Sequence, residues 1–259
     1  MSAAKCPQGC SDWKQNDSGV LIIGPVGCGK SQLVNNILGR KLADVCHSLV
    51  PSKGEGTSEV NIYPHPKSER AEDGRWLLID TPGLNQGTNK PIVEGISIAL
   101  AHLYQHGVKV DLVVYLWPIV AARATSSNKE DFEILQRLVG NAMVPDIIFG
   151  TTRWPKDEGA VKKAEKSHEE LRTSVFTKYM GLQPPSVRLL RLRSPEEAKK
   201  VLTTFPPYKK TPQVQTEMGS DGVKWQKTEV GKYLNASSSR LDHLLEDVWK
   251  WLTAHKLLK

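Results

Sequence analysis

The stretch GVLIIGPVGCGKSQLVNNIL, residues 19–38, constrains the fold more than any other part of the chain. Its opening, GVLIIG, is an apolar run bounded by glycines and too short for a helix, which predicts a buried strand. Residues 30–38 carry Leu33, Val34, Ile37 and Leu38 at the spacing of one helix face, and Gly39 is placed to end that helix. Between them GPVGCGKS, residues 24–31, satisfies G-x-x-x-x-G-K-[ST]. Small residues there let the backbone wrap an anion, so that several N–H groups face it. The following helix aims its positive end at the same point.

The rest of the chain continues that alternation. SEVNIYP alternates as a half-exposed strand does, and a hairpin-like stretch with Asp73-Gly74 separates it from the strand RWLLID, 75–80. A helix opened by Pro91 runs to Gln105, followed by a strand at 111–118, a helix at 128–139 and a strand at 146–151. A charged helix over 157–180, a strand at 187–192 and a short helix from Pro195 complete the series. Strands and helices in this order predict an α/β fold: a three-layer sandwich, mainly parallel, with one antiparallel strand. Residues 1–17 read as a flexible tail and 18–204 as one domain. Residues 205–259 read as an appendage: a linker, a hairpin around Asp221-Gly222, and an amphipathic helix over 238–258 that packs on the domain or on a partner.

The candidate site follows from chemistry at fixed places. Gly24, Val26, Gly27, Cys28, Gly29, Lys30, Ser31 and Gln32 form the phosphate loop and the first turn after it. Lys30 reaches terminal phosphates, and the Ser31 hydroxyl can ligate Mg2+. In LLIDTPG, 77–83, an apolar strand ends in Asp80, placed to hold Mg2+ through water, and Gly83 offers a backbone N–H to the terminal phosphate. Thr57, in the polar loop 48–58, can bring its hydroxyl to Mg2+ only when the terminal phosphate is present, which makes it a switch residue.

On these motifs the chain resembles the TRAFAC-class GTPases. Within them it is similar to the septin-like branch of avirulence-induced and immunity-associated type, closest to fungal small G domain proteins. The resemblance rests on GPVGCGKS, GTSEV, LLIDTPGLN, DLVVYLWPIVAARATSSNKEDFEILQRLVG and IIFGTTRW, and spans roughly 18–202. In the fungal type a C-terminal Gln-x-Glu, a Thr-x-x-Gly and a helix follow, and QTEM, TEVG and the last helix look similar. The resemblance implies a Ras-like P-loop fold, GTP/GDP with Mg2+, and nucleotide-dependent self-association as a homodimer or oligomer through the nucleotide face. It makes Thr152, Arg153 and Trp154 the base-reading loop, with the turn at Arg193-Ser194 on the other side of the base.

Three positions depart from the Ras-like pattern. Leu84 follows Asp-x-x-Gly where Ras-like enzymes orient water with Gln, as in septin-like relatives, and Val26 crowds the place of an arginine finger. Both predict slow hydrolysis. Pro155 replaces the Asp that accepts two hydrogen bonds from guanine. Asp157, two residues on, is the candidate substitute, and Trp154 is a candidate stacking platform indifferent to base identity. The expected function is a guanine-nucleotide switch with slow GTP hydrolysis. The alternatives are a catalytically weak nucleotide-bound scaffold and a P-loop NTPase of relaxed base choice.

Composition bounds the partners. A net charge of +7 in 259 residues is compatible with anionic partners, yet Lys and Arg are scattered with no aromatic-interleaved stripe, so no nucleic-acid partner is expected. Acidic residues in the last helix weaken its membrane-surface character, and a protein effector remains open. With no signal segment and no disulfide framework, a cytoplasmic, reducing setting is expected. Cys6 and Cys10 could supply two metal ligands, but no second cysteine pair follows, so they read as free thiols. His102 and His106 sit four apart on one helix without an acidic partner, and read as a solvated face.

Overall fold

The computed structural model describes residues 13–14, 16–43, 59–70, 73–84, 89–119, 126–204 and 210–236. The expectations for Thr57, Cys6, Cys10 and the helix over 238–258 fall outside these residues. Six strands form one sheet in the order β2-β3-β1-β4-β5-β6. They are β1 (Ser18–Ile23), β2 (Asn61–Pro66), β3 (Arg75–Asp80), β4 (Lys109–Pro118), β5 (Ile148–Thr152) and β6 (Arg188–Arg191). All neighbours run parallel except β2 and β3. β1 lies at the centre and is buried along its whole length, as an apolar strand covered on both faces must be. Its register sets Ile22 beside Asp80 on one side and beside Val114 on the other.

β2 is the edge strand beside β3 among the described residues, and it carries Pro64 and Pro66. Helices α1 (Lys30–Leu38), α2 (Asn89–Gln105), α3 (Ser126–Val139), α4 (Glu158–Glu170), α5 (Phe176–Met180), α6 (Pro195–Lys199) and α7 (Gln213–Gly219) connect and flank the strands. α1 is closed by Gly39 at φ 68°, a left-handed conformation that glycine adopts without penalty. The core beneath α3 and α5 is aromatic: Phe149 stacks on Phe176 with centroids 3.9 Å apart, and Trp117 lies parallel to Phe132 at 5.7 Å. Such pairs add about 0.5–1.5 kcal/mol each beyond burial.

The charged helix expected over 157–180 is interrupted. It leaves α-helical geometry for one wide turn at Leu171–Val175, resumes as α5, and ends at Gly181. The hairpin expected around Asp221-Gly222 is absent. That segment forms α7, a 3-10 turn at Trp225–Lys227, and a helix that begins at 229. The reason is long-range. Gln215 is fully buried, donates to the carbonyls of Leu100 (2.9 Å) and Val108 (3.2 Å), and accepts from Val110 N (3.0 Å). Asp221 N and Val223 N then bond back to Thr216 O and Glu217 O, so Asp221-Gly222 closes a helix instead of turning between strands.

At the end of the sheet opposite the phosphate loop, the segment before β1 is fixed by Trp13. Its ring stands edge-on to His102 (centroids 5.7 Å) and His106 (5.3 Å) near the end of α2. Among the described residues no helix is long and apolar enough to cross a membrane.

Candidate nucleotide-binding site

β1 delivers the chain to the loop at residues 24–29, and α1 carries it away. Gly24, Gly27 and Gly29 have φ of 153°, 73° and 94°, so the loop can curl only because side chains are missing there. A Cβ on Gly24 would lie 2.6 Å from the Leu116 carbonyl. Cys28 faces inward and is fully buried, and burial raises its thiol above the usual range despite nearby Lys30. It is therefore a protonated, unreactive wall of the loop. Lys30 is buried and arches back, its ammonium donating to Pro25 O (3.1 Å) and Gly24 O (3.3 Å). This places a cation inside a ring of backbone groups, the charge an anion entering the loop requires.

The second strand end completes the arrangement. Asp80, 1% exposed, accepts from the Ser31 hydroxyl at 2.7 Å. A hydroxyl and a carboxylate thus meet beside the loop, a donor set of hard oxygens that fits Mg2+. Beyond Asp80 the chain presses onto the loop: Leu84 N donates to Gly24 O (3.0 Å), and Val26 N donates to Leu84 O (3.1 Å). Gly83 sits so close that a Cβ there would lie 2.5 Å from Val26 Cα. Leu84 is buried at 2% exposure. Among the described residues no group of three or more His, Cys, Asp or Glu could hold a metal; a Mg2+ ion here would be held by Ser31 and Asp80, and the expected Thr57 lies outside the described residues.

β5 ends in the expected base loop, and the structure ties that loop to the phosphate loop. The Thr152 hydroxyl donates to Cys28 O at 2.6 Å, and Arg153 Nε donates to Gly27 O at 2.7 Å. Arg153 takes φ 56°, the left-handed conformation, the one non-glycine case among the described residues. Trp154 is not a free stacking platform. Its indole N–H donates to Thr151 O (3.1 Å) and Oγ1 (3.2 Å), and its ring packs against buried His168 at 5.5 Å. Arg193 lies over that ring at 5.4 Å.

Beside these residues is a cavity of about 430 Å3, lined among others by Gln32, Asn36, Thr152, Arg153, Trp154, Pro155 and Arg193. The expectation that Arg193 faces the base loop across this space agrees with that lining. The compensating role expected of Asp157 does not. Its carboxylate caps α4 by accepting from Ala160 N at 2.9 Å, and it is absent from the lining, which contains no carboxylate. Five lining residues escaped sequence reasoning as site residues: Asn36, held to Gln32 by a 2.7 Å side-chain bond one turn along α1, and Leu33, Lys156, Leu192 and Ala198. The i,i+4 spacing of Gln32 and Asn36 is the signal that could have found the first.

The family model described as 50S ribosome-binding GTPase matches residues 19–149. The structure is similar to that of Toc33 from Arabidopsis thaliana in complex with GDP and Mg2+, at 16% identity and a TM-score of 0.54, covering 76% of this chain and 87% of that one. It is similar to Toc33 in complex with Mg2+ and GMPPNP at 16% identity and 0.53, covering 72% and 83%. At this identity the likeness establishes the Ras-like fold. No curated protein sequence matches the chain.

Proposed function

Because the chain belongs to the 50S ribosome-binding GTPase family and so carries a P-loop G domain, we propose that it is a guanine-nucleotide switch with slow, Mg2+-dependent GTP hydrolysis. The observation that carries this reading is the meeting of Lys30, Ser31 and Asp80 at one loop, with the 83–84 backbone laid against it. Bound Mg2+ supplies positive charge to the phosphates. The Ser31 hydroxyl and Asp80 carboxylate would hold it, Lys30 would turn from the loop carbonyls to phosphate oxygens, and Gly83 would offer its N–H to the terminal phosphate. Thr57 joins from outside the described residues. Slow turnover fits buried Leu84 at the position of a water-orienting Gln. Leu84 and the TTRW loop also support placing the chain in the septin-like branch. Self-association through the nucleotide face is part of the proposal; for Toc33, a dimerization-deficient variant shares this fold. A cytosolic setting is proposed with it. The family description names the 50S ribosome, so the expectation of no nucleic-acid partner is not carried forward.

The carboxylate-free cavity favours a second reading, relaxed base choice. Two charge-assisted bonds to guanine contribute ~1.5–3 kcal/mol each, so their loss lowers affinity on the order of a hundredfold or more. Steady-state hydrolysis and binding with GTP, ATP and XTP, against a Lys30→Ala control, decide between the readings. GTP turnover that rises with protein concentration supports the switch. Equal use of GTP and ATP sinks guanine specificity, and tight binding without turnover leaves a nucleotide-bound scaffold.

A further inference from the structure

The cavity beside the base loop has apolar and polar walls. Leu33, Leu192 and Ala198 give it apolar surface against which a planar ring can lie. Its polar side chains differ in what they can offer a ring edge. Lys156 and Arg193 can only donate hydrogen bonds. The Thr152 hydroxyl donates to Cys28 O, Arg153 Nε to Gly27 O and the Trp154 indole N–H to Thr151 O, so these three tie the loops to one another and to β5. Gln32 and Asn36 are the two lining residues whose side chains carry a carbonyl oxygen.

α1 sets these two amides one turn apart, while Val34 and Ile37 of the same helix turn into the core. Gln32 is exposed and Asn36 half-buried. Gln32 Nε2 donates to Asn36 Oδ1 at 2.7 Å. That bond holds each amide by the other and leaves Gln32 Oε1 as an acceptor beside Asn36 Nδ2 as a donor. Turning both amides over reverses the order and keeps the content, one donor beside one acceptor.

The Watson–Crick edge of a purine matches such a pair. Guanine presents O6 beside N1–H, and adenine presents N1 beside an N6–H, the same two functions in opposite order. A carboxylate offers two acceptors instead, which suits the adjacent N1–H and N2–H donors of guanine and turns adenine away. Given a nucleotide site of relaxed base choice, on which this rests, we propose that the Gln32–Asn36 amide pair reads the base in place of the carboxylate that Pro155 removes. By exchanging donor and acceptor it takes guanine and adenine nucleotides alike. An amide pair that only steadied α1 would alter stability and leave nucleotide affinity alone.

The test titrates the full chain with GTP, ATP and inorganic triphosphate in a calorimeter. In the parent, GTP and ATP should bind within about tenfold of each other, and both more tightly than triphosphate. Gln32→Ala with Asn36→Ala should weaken GTP and ATP together by about tenfold, the loss of two neutral hydrogen bonds. Triphosphate has no base, so its unchanged affinity is the control for folding. Asn36→Asp leaves two acceptors facing the base, since Gln32 Nε2 still donates to the new carboxylate. Preference for GTP over ATP should then rise by about tenfold or more. This ratio decides the matter even where the double variant fails to hold triphosphate. Unchanged GTP and ATP affinity in a folded double variant, or an unchanged ratio in Asn36→Asp, overturns the role of the amide pair alone. A parent that favours GTP by far more than tenfold overturns relaxed base choice and this proposal with it. A parent that binds neither nucleotide nor triphosphate overturns the nucleotide site itself.

Discussion

Gly83→Ala tests how tightly the chain after Asp80 is pressed on the phosphate loop. The new Cβ would lie 2.5 Å from Val26 Cα and 2.7 Å from Val26 N, both backbone atoms that cannot rotate away. The two segments must part, and the bonds that hold them are Leu84 N to Gly24 O at 3.0 Å and Val26 N to Leu84 O at 3.1 Å. Losing two backbone bonds costs about 1–3 kcal/mol. In a domain of this size 1 kcal/mol lowers Tm by about 2–4 °C, so a fall of about 2–12 °C is expected by calorimetry. Val26→Ala in the same chain should not rescue it, since the clash with Val26 Cγ2 at 2.7 Å is only part of the collision. If Gly83 meets the terminal phosphate, affinity for a GTP analogue should fall more than affinity for GDP in a fluorescence titration. An unchanged Tm, or full rescue by Val26→Ala, would refute the close backbone approach.

Other outcomes follow from buried polar groups. Gln215→Leu removes three bonds and leaves the Val110 N–H and two carbonyls buried, so urea unfolding should show about 2–5 kcal/mol of lost stability. Burial, with Glu130 adding, raises the Asp131 carboxyl to about 7 against an opposing bond from Asn89. Its folded value lies above its unfolded value, so the folded state keeps a proton the unfolded state has lost, and stability falls as pH rises from about 4 to about 7. Asp131→Asn should erase that component, gaining on the order of 2–4 kcal/mol relative to the parent by pH 8; a difference between the two proteins that stays flat across this range refutes it.

The phosphate loop was legible because its chemistry is contiguous: strand, glycines, Lys30 and helix lie within some twenty residues, and each part is specified locally. Asp80 was legible for the same reason, as the last residue of an apolar strand. The C-terminal segment was misread because Asp-Gly serves both hairpins and helix ends, and what decides between them is Gln215, whose partners lie more than 100 residues away. Asp157 shows the reverse. Its capping role is open to local reading, since an Asp just before a helix accepts from the N–H three residues on. The loop position of Trp154 was legible, but its packing was not, because His168, against which its ring packs, comes from the next helix.

The prolines of β2 have a consequence for how copies of the chain can meet. Lys67 N donates to Gly74 O across the β2–β3 ladder, so odd-numbered residues of β2 turn their N–H groups inward. Pro64 and Pro66 therefore stand at the outward positions, where they have no hydrogen to offer, and Ile62 is left as the outward donor of the strand. A further strand laid along this edge would find carbonyls but almost no donors, so the sheet is closed to extension on that side. Among the described residues, any association that preserves the fold would go through loops and helices or the β6 side, without lengthening the sheet at β2.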